Sequence, residues 1–199
     1  MDEESMLPMI RELLGDIAEK VSDAVPLIKI AGEVTRIAVS LPDRILYLKI
    51  DRFLKAVPVK VQHEFVHRLQ DDPALRRKVG EHLILTLDKT DDMEKADLLA
   101  KMFCAYAEKK IPLETFKRLT SSINAAFIED LRQIAEAMPS VFEPFLGSLV
   151  GTGFAEITAQ QFSDSWQDHR VVTAPRLNLL GRIFRQIMRG EPVTGDLNH

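Results

Sequence analysis

Two histidines and a glutamate have the spacing best suited to chemistry in this chain: His63, Glu64 and His67 in the run His-Glu-Phe-Val-His. Residues four apart share a face of a helix, so both imidazoles can hold one Zn²⁺ while the glutamate activates a metal-bound water. In that arrangement His63 and His67 would be metal ligands and Glu64 would be the catalytic general base. The third protein ligand would have to come from side chains further along the chain: Glu81, His82 or Asp91.

These five residues resemble the zinc-binding motif of zinc metallopeptidases, and the resemblance covers nothing beyond them. It implies zinc as cofactor and hydrolysis as activity. The chain departs from that family at Arg68, where an uncharged residue is usual. At about 100° per residue, Val61, Phe65 and Leu69 define an apolar stripe, and both histidines point about 160° away from it. We therefore predict a solvent-facing helix without a metal, and keep the zinc-dependent hydrolase as the alternative.

The second candidate site is a group of C-terminal arginines with no acidic residue between them: Arg170, Arg176, Arg182, Arg185 and Arg189. The last three fall on one face of a predicted helix. Residues 1–23 carry the opposite charge, with seven acids against two bases. We expect the arginines to contact a protein partner or a second copy of the chain. Such self-association would weaken with added salt, because salt screens exposed charges, and the double substitution Arg182→Glu, Arg185→Glu would reduce it.

Composition indicates an ordinary globular protein. The 199 residues are 46% apolar and 28% charged, with a net charge of −4. This balance gives no global attraction to nucleic acid, which stays possible but is not favoured, and no membrane association is expected. The lone Cys104 excludes an intramolecular disulfide and lies in an apolar run, where an inert thiol is expected. The acidic N-terminus is unlike a secretory signal, so we expect a cytoplasmic protein.

Helical periodicity dominates the chain and predicts a mainly α fold, a multi-helix bundle with a small C-terminal unit. Residues 34–50 could instead form a β-hairpin. The clearest pattern predicts one helix from Leu113 to Glu136 with an apolar stripe: Phe116, Leu119, Ile123, Phe127, Leu131 and Ile134. Truncation of Phe127 to alanine would then cost about 3–5 kcal/mol. The other predicted helices cover residues 6–22, 27–40, 43–57, 58–69, 73–87 and 92–110.

After residue 138 the predicted order is helix, glycine turn, strand, polar tip, strand and helix. The run Leu149-Val150-Gly151-Thr152-Gly153-Phe154 resembles the end of the recognition helix in winged-helix modules, and the closing Leu179-Leu180-Gly181 resembles their terminal helix. We expect a helical bundle over residues 1–137, a winged-helix-like unit with a short β-hairpin and a terminal helix from Pro175 over residues 138–189, and a flexible tail over 190–199.

The would-be recognition helix, Ser140–Val150, has no lysine or arginine and contains Glu143, so the resemblance does not imply DNA reading. The stretch Asp91–Leu119, with Glu94-Lys95-Ala96-Asp97 and Phe116-Lys117-Arg118, resembles uncharacterised bacterial helical proteins, which implies a fold and no activity. We predict a non-enzymatic helical interaction or regulatory protein acting through protein partners. A zinc-dependent hydrolase is the second hypothesis, and a nucleic-acid-binding winged-helix protein is the third.

Overall fold

The computed structural model describes residues 41–70, 72–136, 145–163 and 169–194, and two predicted helices, 6–22 and 27–40, lie outside this part of the chain. The described residues are mainly helical, with a two-stranded antiparallel hairpin and a terminal helix, which confirms the predicted fold class. Contacts divide the chain into two compact units, Met1–Lys110 and Ile111–His199. Within the described ranges, none of the helices is both long and apolar enough to cross a membrane.

The described part of the first unit contains four helices: α1 (Leu41–Ala56), α2 (Val59–Gln70), α3 (Pro73–Asp88) and α4 (Met93–Ala107). The sequence left open a β-hairpin over residues 34–50. Residues 41–50 are helical, so that alternative is wrong for the part of it that the structure describes. Two aspartates cap helices in this unit. The Asp72 side chain accepts a hydrogen bond from the Leu75 amide, and the Asp92 side chain accepts one from the Glu94 amide. Each cap satisfies an amide that the helix itself leaves unpaired.

Aromatic rings form the core of the first unit. Phe103 of α4 is fully buried, and its ring centroid lies 4.8 Å from that of Phe65 in α2 and 5.5 Å from that of Phe53 in α1. Both pairs are edge-on, the arrangement that the aromatic quadrupole favours. At the rim of this core, Arg52 of α1 donates three hydrogen bonds of 2.6–3.0 Å to the carboxylate of Asp97 in α4. One aromatic cluster and one charged pair therefore fix α1, α2 and α4.

The described part of the second unit contains α5 (Leu113–Ala125), α6 (Ile128–Glu136), α7 (Phe145–Val150), β1 (Ala155–Ser163), β2 (His169–Leu177) and α8 (Leu179–Arg189). The strands pair from Ala155 opposite Leu177 to Ser163 opposite His169. Its core includes the rings of Phe154 and Phe184, both fully buried, with centroids 5.1 Å apart. The order of elements is the one predicted for the C-terminal end of the chain.

The terminal helix begins later than predicted. Pro175 and Arg176 lie in β2, and the helix begins at Leu179. The reason is a cap: the Asn178 side chain accepts a hydrogen bond from the Gly181 amide and thereby starts α8. Among the described residues the sheet has only two strands, and proline is tolerated in such edge strands because part of their amides pair with no other strand.

The predicted single helix from Leu113 to Glu136 is wrong, and so is the predicted burial of Phe127. The chain is extended at Ala126 (φ −90°, ψ 153°), which ends α5 and starts α6 two residues later. Successive side chains alternate in an extended segment, so Ala126 and Ile128 are buried while Phe127 is 70% exposed. The remaining stripe residues of both helices are buried as expected: Phe116, Leu119, Ile123, Leu131 and Ile134.

The division between the units also differs from the sequence-based boundary at residues 137–138. Both α5 and α6 contact α8, so they belong to the same unit as the hairpin. The sequence grouped them with the earlier helices because the change in composition near Met138 is more visible than the short Ile111-Pro112 connection.

Candidate functional site

The His-Glu-x-x-His motif lies on α2 with its polar residues turned outward. Phe65 is 1% exposed and anchors the helix in the aromatic core, whereas His63, Glu64 and His67 are all exposed. The Glu64 carboxylate lies 3.8 Å from the ammonium of Lys60, one turn away on the same surface. The predicted solvent-facing helix is therefore confirmed for these three side chains.

Arg68, the residue that departs from the metallopeptidase pattern, fastens α2 to α4. Its guanidinium carbon lies 4.8 Å from the ring centroid of Phe65 and 5.3 Å from that of Tyr106. Its Nη1 donates a hydrogen bond of 3.2 Å to the carbonyl oxygen of Ala107. Because Phe65 and Arg68 both face α4, the two histidines are turned away from it.

The possible third ligands do not join the histidines. Glu81 is exposed, the His82 ring lies 3.5 Å from the Thr86 hydroxyl, and the Asp91 carboxylate lies 2.6 Å from the ammonium of Lys95. In the described ranges, no three histidine, cysteine or carboxylate side chains come together in a group that could hold a metal ion. The motif therefore consists of two exposed imidazoles and an adjacent exposed carboxylate. That His63 and His67 bind no metal stays a prediction.

We expect purified, untagged protein to contain less than one zinc per chain, and its melting temperature to be unchanged by a chelator. A zinc ion held by His63 and His67 would add its binding free energy to the stability of the folded chain, so chelation would lower the melting temperature. Elemental analysis and thermal unfolding with and without chelator measure both quantities. One tightly bound zinc per chain, lost in His67→Ala and retained in Glu64→Gln, would support the hydrolase hypothesis instead.

Cys104 lies in α4 and is half-buried. Burial raises the pKa of its thiol to about 11, and the nearby charge of Glu108 adds to the effect. Near neutral pH the thiol therefore stays protonated, and a thiolate is the nucleophilic form of cysteine. This supports the interpretation of Cys104 as an inert packing residue.

Three of the five C-terminal arginines make contacts within their own unit. Arg176 donates a 3.1 Å hydrogen bond to Glu156, and Arg182 donates a 3.1 Å bond to the Leu177 carbonyl. Arg189 donates to the carbonyls of Ala135 and Glu136 at 2.9 and 2.8 Å, at the end of α6. These contacts satisfy backbone carbonyls and one carboxylate, so they stabilise the unit.

The other two arginines have no observed contact of this kind. The side chain of Arg170 lies outside the described residues, as does the acidic segment 1–23. The Nε of Arg185 is buried and has no hydrogen-bond partner in the described part of the chain. A partner-binding role for the five arginines stays a prediction, and much of their hydrogen-bonding capacity serves the fold.

The hairpin carries a feature that the arginine-based prediction did not include. Ile157 of β1 is 64% exposed, and its register partner on β2 is Pro175. The next pair along that face is Ala159 and Thr173, both exposed. Directly opposed residues of an antiparallel pair share a face of the sheet, so these four side chains form one uncharged surface, which we call the hairpin face. Only the pairing register, which the sequence does not fix, brings them together.

Searches of protein-family models, of curated proteins and of solved structures found no match to this chain.

Proposed function

We propose that this protein is a non-enzymatic interaction or regulatory protein that acts through a protein partner, with the hairpin face as its contact surface. The observation that carries the proposal is the 64% exposure of Ile157 on a strand of nine residues. A single exposed apolar side chain is ordinary on a protein surface. Ile157 differs from such a residue because it lies on a two-stranded hairpin beside other uncharged side chains.

The hairpin has the chemistry that partner proteins recognise in exposed strands. Among the described residues the sheet contains only β1 and β2, so each strand has an outer edge without a neighbouring strand. Such an edge presents amide and carbonyl groups with which an added strand can pair. The hairpin face adds apolar contact area beside those groups: Ile157, Ala159, Thr173 and Pro175. Main-chain pairing would supply affinity and the uncharged face would supply specificity.

Nucleic acid is the less suitable partner for this unit. The described residues of the would-be recognition helix, α7, read Phe-Leu-Gly-Ser-Leu-Val and include no cationic side chain. Phosphate contacts need lysine, arginine or other donors, and they supply most of the affinity for nucleic acid. The hairpin face has no cationic side chain. An apolar segment of a protein partner suits it better.

We expect Ile157→Glu to weaken partner binding at least about tenfold, which corresponds to about 1.4 kcal/mol. The reason is that a carboxylate at this position would be desolvated on binding. The partner would first be isolated by affinity capture and identified, and the dissociation constants would then be measured by calorimetry with both proteins purified.

Ile45→Glu is the matched control, because Ile45 of α1 is also an exposed isoleucine, at 42%, and lies in the first unit. It should bind like the unmodified chain. Equal dissociation constants for the unmodified protein and Ile157→Glu, with both proteins folded by circular dichroism, would contradict the assignment of the hairpin face.

A further inference from the structure

The second unit has an open-sided cavity that neither the partner-binding proposal nor the metal motif uses. Its volume is about 610 Å³, and it lies among α5, the turn at Gly153 and the beginning of α8. Cavities of roughly 300–1,000 Å³ are the usual size for small-molecule sites. The polar groups of its wall indicate what kind of molecule would fit.

Two residues with hydroxyl side chains, each more than nine-tenths buried, line the cavity. Thr115 and Ser122 of α5 are 8% and 7% exposed, and neither side chain hydrogen-bonds to another residue in the described ranges. Because neither hydroxyl bonds to a described residue and neither oxygen is among the buried unpaired atoms, both can be reached by a ligand in the cavity. The Ser122 Oγ lies 3.1 Å from the position that a Cβ would occupy on Gly153, which is also part of the wall. The glycine therefore keeps open the space next to this hydroxyl.

The N-terminus of α8 supplies backbone donors to the same cavity. Asn178 caps the helix by accepting a 3.0 Å hydrogen bond from the Gly181 amide. The amides of Leu179 and Leu180 come before it in the first turn, and both residues line the cavity. Neither amide has a partner among the described residues. Free first-turn amides, together with the positive end of the helix dipole, favour an anion.

Positive side chains complete the wall. Lys117 and Arg118 both line the cavity. Lys117 lies 3.7 Å from Glu114, while Arg118 is exposed and makes no ion pair or hydrogen bond within the described part of the chain. One acid, Glu156, also lines the cavity, and its carboxylate already accepts a hydrogen bond from Arg176. The cationic groups are therefore the ones left to interact with a ligand.

We propose that this cavity binds a small organic anion, whose carboxylate or phosphate head contacts the α8 amides, the two hydroxyls and Arg118. The apolar body of the ligand lies against Leu180 and Ile183, which belong to the apolar part of the wall. Oxyanions of either kind accept several hydrogen bonds at once, which suits a group of convergent donors. This site is separate from the hairpin face, so its test is independent of partner binding.

The test is an NMR titration of ¹⁵N-labelled full-length protein with three probes: benzoate, phenyl phosphate and neutral benzyl alcohol. We expect at least one of the two anions to shift the amide signals of Leu179 and Leu180 in a saturable way, while benzyl alcohol leaves them unchanged. The anion that binds more tightly identifies the head group. Arg118→Gln should weaken that binding about tenfold, the effect of losing one charge-assisted hydrogen bond.

The matched control is Arg132→Gln, since Arg132 is an exposed arginine of α6 and does not line the cavity. It should leave the affinity unchanged. The proposal would be overturned if neither anion gave a saturable shift at these amides. It would also be overturned if both arginine substitutions weakened binding equally, because that result would indicate diffuse charge attraction and no site.

Discussion

Replacement of Phe116 by alanine is expected to lower the free energy of unfolding of the second unit by about 3–5 kcal/mol. Phe116 is fully buried on α5, together with Leu119 and Ile123 on the same face. Its removal would leave a cavity that the surrounding helices can fill only in part, so lost burial and lost packing add together. This is the largest effect that we expect from a single substitution in this unit.

Phe127→Ala is the matched control for this prediction. The two phenylalanines lie eleven positions apart on the stripe that the sequence predicted, but Phe127 is 70% exposed. Its truncation should change stability by less than about 0.5 kcal/mol, as is usual for surface positions. Chemical unfolding followed by circular dichroism measures both variants. If Phe127→Ala were as destabilising as Phe116→Ala, Phe127 would have to be buried. That result would contradict the break at Ala126 and favour one continuous helix.

Gly181→Ala is expected to destabilise the second unit by about 1–3 kcal/mol or more, because it overpacks a tight contact. A Cβ at Gly181 would lie 2.3 Å from the carbonyl oxygen of Phe154 and 2.9 Å from Cδ2 of Leu177. The same Phe154 carbonyl accepts a 3.1 Å hydrogen bond from the Asn178 amide, and the Asn178 side chain donates to the Gly153 carbonyl at 2.9 Å. The start of α8 is thus held against the start of β1, where backbone cannot easily move.

Gly147→Ala separates this steric effect from ordinary helix propensity. Gly147 lies in α7, and beyond its own helix backbone and chain neighbours no described atom lies within 4 Å of the position that a Cβ would occupy. Alanine there should therefore be neutral or stabilising by up to about 1 kcal/mol. The melting temperatures of the two variants should therefore move in opposite directions or differ clearly. A Gly181→Ala protein as stable as Gly147→Ala would show that α8 does not approach Phe154 this closely.

Local signals in the sequence were sufficient for the described helices of the first unit. Asp72 and Asp92 each precede a helical pattern and cap it, because a short acidic side chain can reach the unpaired amides of the first turn. The stripe through Val61 and Phe65 likewise predicted which face of α2 is buried, and therefore that His63 and His67 face solvent. In both cases the deciding interactions lie within one or two helical turns.

The break at Ala126 could not be predicted in the same way. No proline or glycine marks it, and Phe127 continues the 3.6-residue repeat that Phe116 and Ile123 begin. The acids Glu129 and Asp130 in the first turn of α6 are a weak signal of a helix start, since acidic residues favour that end of the dipole. Here tertiary packing of α5 and α6 in the same unit as α8 overrides the local repeat.

The candidate sites depend still more on tertiary structure. Ile157 and Pro175 are distant in sequence and meet only through the pairing register of the hairpin. The cavity likewise combines hydroxyls of α5 with amides of α8, and neither helix contains a sequence motif that predicts a ligand-binding site. By contrast, the five arginines were conspicuous in the sequence, and three of them prove to contact their own unit.

Site-specific photo-crosslinking at position 157 tests the proposed partner-binding function most directly. A photoreactive residue would replace Ile157 in the full-length protein, and a second variant would carry it in place of Ile45 in the first unit as control; both side chains are exposed. Irradiation in the native cells should give one discrete crosslinked protein from position 157 and none from position 45. Absence of a discrete product at position 157, or the same products from both positions, would contradict the proposal that the hairpin face binds a protein partner.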